Sequence, residues 1–83
     1  MEHRLVRKEH PATVECFWVE CQPSAATTRW DRAGRITAVY DTGLKSKVWR
    51  ADCEICHLFD FRPSQGQVRA IGAIVRHYEK VHA

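Results

Sequence analysis

Residues 53–56 read Cys-Glu-Ile-Cys and residues 77–82 read His-Tyr-Glu-Lys-Val-His, with twenty residues between the second cysteine and the first histidine. The two-residue gap lets both thiolates approach one cation from a tight turn. Two imidazoles near a helix end can then close a tetrahedral shell of sulfur and nitrogen ligands, which is typical of structural Zn²⁺ sites. The sequence therefore predicts a zinc site formed by Cys53, Cys56, His77 and His82.

The spacing of the two histidines requires a distortion of the helix that carries them. On a regular α-helix, His77 and His82 point about 140° apart, whereas residues four apart are separated by only about 40°. Gaps of three to five residues between paired histidines occur in zinc fingers. We therefore expect the helix to loosen between these two residues.

Two further cysteines form a competing pair. Cys16 and Cys21 are five residues apart on a predicted strand and point to opposite faces. An all-cysteine site that joins them to Cys53 and Cys56 remains an alternative and would leave the histidines free. The favoured interpretation is that Cys16 and Cys21 are small buried apolar residues. His57, next to the second motif cysteine, is a possible substitute ligand.

The cysteine motif alone is also compatible with a redox pair. A thioredoxin-like motif occurs in a strand-to-helix context. Here residues 58–61 read Leu-Phe-Asp-Phe and predict a short strand. The context therefore favours a metal-binding turn.

A helix is predicted after Ser64. This residue is a good N-cap, Pro63 precedes it, and Gln67 three positions later completes a capping box. Apolar residues then recur at helical spacing and predict one buried stripe. The stripe comprises Val68, Ile71, Ile74, Val75, Tyr78 and Val81, and the basic residues Arg69, Arg76 and Lys80 lie on the other side.

The sequence before the cysteine motif predicts strands, because it is rich in β-branched and aromatic residues. An Asp-Arg-Ala-Gly stretch at 31–34 is typical of a hairpin loop, and Asp-Thr-Gly at 41–43 predicts a second turn. The predicted strands are 13–21, 27–30, 35–40 and 46–52. The fold class is therefore α+β, a small antiparallel β-meander with one C-terminal α-helix. We expect residues 1–12 to form an N-terminal arm or edge and residues 13–83 to form one zinc-binding domain.

The length of 83 residues is near the lower limit for a domain held by its hydrophobic core alone. A metal would therefore contribute much of the stability. No apolar run approaches the ~20 residues needed to span a membrane, and the basic start lacks the apolar segment of a secretory signal. We expect a reducing cytoplasm, where paired cysteines favour a metal over a disulfide.

Basic charge is concentrated in two segments of a chain whose formal net charge is +3. Residues 29–50 hold six basic and two acidic side chains, and residues 62–83 hold four and one. Trp30 and Trp49 lie among these charges and could stack on bases if exposed. The candidate nucleic-acid-binding residues are Arg32, Arg35, Lys45, Lys47, Arg50, Arg69, Arg76 and Lys80.

The stretch from Trp49 through His82 resembles small zinc-finger-like proteins with two cysteine and two histidine ligands, from high-GC bacteria and their phages. The resemblance implies Zn²⁺ as the cofactor, with the same four ligands. It implies no base-contacting residue. DNA-reading fingers of this type have about twelve residues between the second cysteine and the first histidine, whereas this chain has twenty.

Three classes of function are consistent with these features. The favoured hypothesis is a zinc-braced nucleic-acid-binding regulator, with DNA as the expected ligand. The alternative is a protein-interaction module, such as a phage or mobile-element factor that docks on a host protein through an exposed apolar patch. An enzyme is not expected, because four protein ligands close a zinc site that catalysis would need open.

Overall fold

The computed structural model describes residues 2–7, 15–24, 26–57 and 63–82. Within these ranges the strands form one antiparallel sheet in sequential order. The elements are β1 (His3–Arg7), β2 (Cys16–Cys21), β3 (Asp31–Asp41), β4 (Ser46–Cys53), helix α1 (Gln67–His77) and a π-helical segment (Tyr78–His82). The predicted α+β meander with a C-terminal helix is confirmed. None of the helices in the described ranges has the length and apolar character to cross a membrane.

Helix α1 packs against one face of the sheet, over β2, β3 and β4. Its buried residues are Ala70 and Ile74, and Tyr78 continues the same side into the π-helical segment. They meet a layer of small and branched sheet residues, Val19, Cys21, Ala33, Ile36, Trp49 and Ala51. Small residues on this layer let the helix lie close to the strands.

The first turn predicted from the sequence is wrong. Residues 31–34 do not form a loop, because they are the beginning of the long strand β3. In the pairing with β2, Val19 lies opposite Gly34 and Glu20 lies opposite Arg32, which leaves Ala33 as the extra residue of a β-bulge. The predicted strand at 27–30 is absent as well.

Gly34 serves close packing rather than a turn. A Cβ atom at this position would lie 2.5 Å from the backbone oxygen of Asp52 and 2.8 Å from Cγ2 of Ile74. The glycine therefore allows α1 to approach the sheet where β3 and β4 pair. A turn motif and a close-packing position both favour glycine, which explains why the sequence misled at this point.

The second predicted turn and the strand after it agree with the structure. Asp41 ends β3, and its side-chain Oδ1 accepts a hydrogen bond of 2.9 Å from the backbone amide of Leu44. Lys45 then takes a left-handed conformation, with φ of 53°, before β4 begins at Ser46. Val48 and Trp49 point to opposite faces of β4, because successive side chains alternate along a strand.

The start of the helix differs from the prediction. The N-cap is Gly66, and no side chain caps it. Ser64 instead exchanges two backbone hydrogen bonds with Trp49, at 2.6 and 3.0 Å. Because this bridge fixes Ser64 alongside β4, the helix starts two residues later than a capping box would place it. The pairing also ties the segment before α1 to the sheet.

The predicted apolar stripe is only partly buried. Val68 is 81% exposed and Val81 is 56% exposed, whereas Ile74 is 1% exposed. Packing on a sheet covers a narrow side of the helix, on which Ala70 and Ile74 are buried. The remaining apolar residues lie at the rim of the contact.

Strand β1 lies within the segment assigned to an N-terminal arm or edge. It pairs along its length with β2, from His3 opposite Cys21 to Arg7 opposite Phe17, and it forms an edge of the sheet. The strand predicted at 58–61 lies outside the described residues.

Candidate metal centre

The four predicted ligands meet at one end of the molecule, where β4 ends beside the π-helical segment. Their potential ligand atoms all lie within 4.8 Å of one another. Cys53 is buried, and the other three residues are partly exposed at the margin of the core. The group Cys53, Cys56, His77 and His82 can therefore hold a metal ion.

The separations between sulfur and nitrogen atoms fit a tetrahedral site. Zinc bonds of about 2.3 Å to sulfur and 2.0–2.1 Å to nitrogen give tetrahedral S···N edges of about 3.5 Å. The distance from Cys53 Sγ to His82 Nε2 is 3.5 Å, and that from Cys56 Sγ to His77 Nε2 is also 3.5 Å. Cys56 Sγ lies 3.0 Å from His82 Nε2, so this edge would lengthen slightly around a zinc ion.

The cysteine turn is formed by backbone hydrogen bonds that aim both thiols inward. The amide of Cys56 donates to Cys53 Sγ at 3.3 Å, and the amide of His57 donates to the Cys53 carbonyl at 3.2 Å. His57 has a positive φ of 60°, which lets the chain leave the turn sharply. Glu54 donates its amide to the Ala33 carbonyl at 3.0 Å, so the turn is attached to the bulge in β3.

The helix loosens between the two histidines, as the spacing predicted. Residues Tyr78–His82 form a π-helical segment, whose hydrogen bonds link residues five apart rather than four. This geometry places residue 82 over residue 77. The imidazole rings of His77 and His82 have centroids 5.0 Å apart and are nearly perpendicular. The π-helical segment therefore lets the imidazoles of His77 and His82 converge although the two residues are five apart.

The surroundings of the cluster favour the uncharged forms of Cys56 and His77. Burial, a hydrogen bond from Cys53 and the charge of Cys53 raise the pKa of the Cys56 thiol. Burial, together with the neighbouring His82, lowers the pKa of His77, so this imidazole is neutral and can donate a lone pair. Two thiols and two imidazoles converge on one point, where a divalent cation would offset the cost of ionising the sulfurs.

The competing ligands lie elsewhere. Cys16 is 5% exposed and hydrogen-bonded to the Thr37 hydroxyl at 3.5 Å, and Cys21 is fully buried in the core. Both are free thiols on opposite faces of β2, which confirms the interpretation that they are buried apolar residues. His57 is exposed and is not part of the cluster.

The predicted basic residues divide between two sides of the molecule. Arg69, Arg76 and Lys80 are exposed on the helical side of the chain. Arg32, Arg35 and Arg50 point away from α1, on the sheet face opposite the helix. One flat contact therefore cannot engage both sets.

The two lysines near the β3–β4 turn lie apart from both sets. Lys45 is exposed within the turn itself. Lys47 pairs with Glu15 at 2.9 Å and lies 5.3 Å from the ring centre of Trp49. Trp49 is only 7% exposed and packs in the core against Phe17, so it does not meet the condition of exposure on which base stacking depended.

The sheet face opposite the helix carries a cluster that sequence reasoning identified only in part. We call it the arginine face, and it comprises Arg4, Trp18, Glu20, Arg32, Arg35, Arg50 and Asp52. Arg4, Glu20 and Arg32 are direct neighbours across β1, β2 and β3, and Trp18, Arg35 and Asp52 occupy the next row. Alternation alone would place Arg32 and Arg35 on opposite faces, but the bulge at Ala33 brings them to the same one.

Planar side chains stack across this face. The Arg4 guanidinium lies 4.1 Å from the ring centre of Trp30, and that of Arg32 lies 4.4 Å from the ring centre of Trp18. Glu20 lies between the two arginines, 2.8 Å from Arg4 and 4.0 Å from Arg32. Arg4, Glu20 and Arg32 therefore form one row across β1, β2 and β3, with Trp30 against Arg4 and Trp18, from the next row, against Arg32.

Comparisons with protein-family models, curated proteins and solved structures found no match. Interpretation of the site therefore depends on its own geometry, which is a two-cysteine, two-histidine cluster that joins the end of a strand to the end of a helix.

Proposed function

We propose that this chain is a small zinc-braced protein that binds nucleic acid, with a regulatory role, and that the arginine face is the binding surface. The observation that carries the proposal is the row of stacked arginines and tryptophans on the sheet face that α1 leaves uncovered. The metal site lies at one end of the sheet and holds the fold that presents this row. DNA is the expected ligand.

Zinc suits the metal site because of its donor set. Two thiolates and two imidazoles are typical of closed, tetrahedral structural zinc sites, whereas magnesium and calcium prefer oxygen ligands. Four protein ligands leave no position for a substrate or a reactive water. The proposal therefore assigns the metal a structural role and expects no catalysis at it.

The charges on the arginine face favour a polyanionic partner. Four arginines face two carboxylates, Glu20 and Asp52, and both carboxylates are already paired. Among the described residues, Arg50 is exposed and has no ion-pair partner. The outer surfaces of Arg4 and Arg32 remain about half exposed beside these pairs, so a phosphate can approach the guanidiniums without displacing Glu20.

The helical side supports nucleic-acid binding less well. In DNA-reading fingers, side chains of the helix enter the major groove. Here the exposed residues of the helical side include the apolar Val68 and Val81 as well as Arg69 and Arg76. The proposal therefore keeps the sheet residues Arg32, Arg35 and Arg50, adds Arg4, and does not include the lysines or the helical arginines.

A charge-matched pair of double variants tests this assignment. Arg32→Ala/Arg50→Ala and Arg69→Ala/Arg76→Ala each remove two positive charges, from opposite sides. Fluorescence anisotropy with labelled oligonucleotides, measured over a range of salt concentrations on zinc-loaded protein, gives affinity and salt slope. We expect the first variant to bind more weakly, with a slope lower by about 1.4–1.8, and the second to change little. Binding that is absent or independent of salt in the wild type would contradict the proposal.

A protein-interaction module is the second candidate, and one observation favours it. An open groove of about 280 Å³ runs between α1 and β1, lined by His3, Val68, Ile71, Gly72, Val75 and Arg76. Val68 is the most exposed large apolar side chain among the described residues. Apolar helix grooves of this kind receive peptide segments in other proteins. Phe17 of β2 does not contribute to an exposed apolar patch, because it contacts Trp49 at the core.

A further inference from the structure

We propose that the arginine face selects single-stranded over double-stranded nucleic acid, by stacking unpaired bases on its row of planar side chains. This inference rests on the proposed function and adds the class of ligand to it. It follows from the shape of the face, from the stacking geometry and from the exposure of the side chains.

The shape of the face does not suit the grooves of a duplex. Neighbouring strands are about 4.8 Å apart, so β1 and β4 are about 14 Å apart before side chains are added. The major groove is about 12 Å wide and admits a helix or a two-stranded ribbon. The helix of this protein lies on the far side of the sheet and cannot enter a groove while the arginine face makes contact.

The stacking geometry suits unpaired bases. The guanidinium groups of Arg4 and Arg32 each lie over one tryptophan ring, with Cζ 4.1 and 4.4 Å from the ring centres. A base can extend either stack on the outer surface of the guanidinium. Single-stranded nucleic acids are bound on aromatic and guanidinium planes in this way, and bases within a duplex have no free face to offer.

The guanidinium groups of Arg4 and Arg32 are also accessible to a single-stranded nucleic acid. The side chains of Arg4 and Arg32 are 49% and 51% exposed, whereas Glu20 between them is only 12% exposed. The carboxylate therefore positions both arginines from below and leaves their outer surfaces accessible. Arg35 is held in the next row by Asp52 at 3.6 Å. Its side-chain Nε is buried and has no hydrogen-bond partner among the described residues.

The test compares one sequence as single-stranded DNA, single-stranded RNA and duplex DNA, by anisotropy on the zinc-loaded full chain. We expect the affinity for either single strand to be at least about tenfold higher than that for the duplex. Binding should also quench tryptophan fluorescence. Trp18→Leu should weaken single-strand binding by about fivefold or more, because one stack is lost. Trp18→Phe keeps a ring and should retain most of the affinity. Tyr40→Leu, which removes an exposed aromatic outside the arginine face, is the control.

Each contrary outcome identifies what has failed. Duplex binding that equals or exceeds single-strand binding, and that is still weakened by Arg32→Ala/Arg50→Ala, would overturn this inference and leave the proposed function standing. Unchanged single-strand affinity in Trp18→Leu would also overturn it. The absence of salt-dependent binding to any of the three ligands would overturn the proposed function and this inference together.

Discussion

The phenol of Tyr78 donates a 2.5 Å hydrogen bond to the carboxylate of Asp31, which joins the first residue of the π-helical segment to the first residue of β3. Tyr78 is 1% exposed. Burial raises the pKa of its phenol to about 12, and the hydrogen bond with Asp31 adds to the rise, so the group is a donor at neutral pH. The segment that carries His82 is therefore tied to the sheet by a buried side chain next to a ligand.

Tyr78→Phe removes this hydrogen bond and keeps the ring. We expect the free energy of unfolding of the zinc-bound protein to fall by about 1–3 kcal/mol, because the lost bond involves a charged acceptor. Zinc affinity, measured by competition with a chelator, should fall as well, since His82 is held less firmly. Tyr40→Phe is the control, because Tyr40 is 67% exposed. Unchanged zinc affinity in Tyr78→Phe would contradict the positioning role.

Gly34→Ala should destabilise the fold more than an ordinary surface substitution. The added methyl would meet the Asp52 backbone oxygen at 2.5 Å and Ile74 at 2.8 Å, so the helix must move away from the sheet. We expect a loss of about 1–3 kcal/mol or more in urea unfolding. Gly66→Ala is the matched control, because nothing lies within 4 Å of its added methyl, and it should cost less than about 1 kcal/mol. Equal losses in the two variants would refute the close-packing role.

Thiol labelling should report whether the metal holds the fold together. In the zinc-bound protein, Cys53 and Cys56 are ligands and Cys16 and Cys21 are buried, so we expect no rapid alkylation by iodoacetamide. Structural zinc contributes about 10–16 kcal/mol in finger peptides, more than a core of this size supplies. Chelation should therefore unfold the domain and expose all four thiols. Mass spectrometry that finds two labels after chelation would show that the fold survives without metal.

Alkaline pH should destabilise the protein through Cys21. Burial, with smaller contributions from Glu79 and Asp31, raises the pKa of this thiol from 9.0 to about 11. Between these values the folded state keeps a proton that the unfolded state has lost, so the free energy of unfolding falls as the pH rises. The effect is fully absent below about pH 9 and reaches about 2–3 kcal/mol above pH 11. Urea unfolding of the wild type and of Cys21→Ala at several pH values measures this contribution of Cys21. Free energies of unfolding that fall in parallel with pH in the two proteins would contradict it.

The sequence predicted the elements whose signals are local. Alternation in β4 and the Asp41 turn depend on neighbouring residues, and both agree with the structure. The histidine spacing even predicted a distortion of the helix, because a shared ligand would otherwise be out of reach. The features that the sequence did not predict depend on tertiary contacts. The same glycine signals a turn or a close contact, and only the packed helix decides between them at Gly34.

Prediction of the arginine face also required tertiary information. Arg32 and Arg35 have an odd spacing that places them on opposite faces of a regular strand. The bulge at Ala33 reverses this, and it is visible only in the pairing of β2 with β3. The role of Ser64 was missed for a similar reason, because its partner Trp49 is distant in sequence and replaces the expected cap.

Zinc content of purified single variants tests the central claim most directly. We expect one zinc per chain in the wild type and in Cys16→Ser, and loss of zinc in Cys53→Ser and in His82→Ala. His77→Ala should lose zinc as well, because each of these three variants leaves only three ligands. Loss of zinc in Cys16→Ser, with full retention in His77→Ala and His82→Ala, would contradict a centre formed by the end of β4 and the π-helical segment.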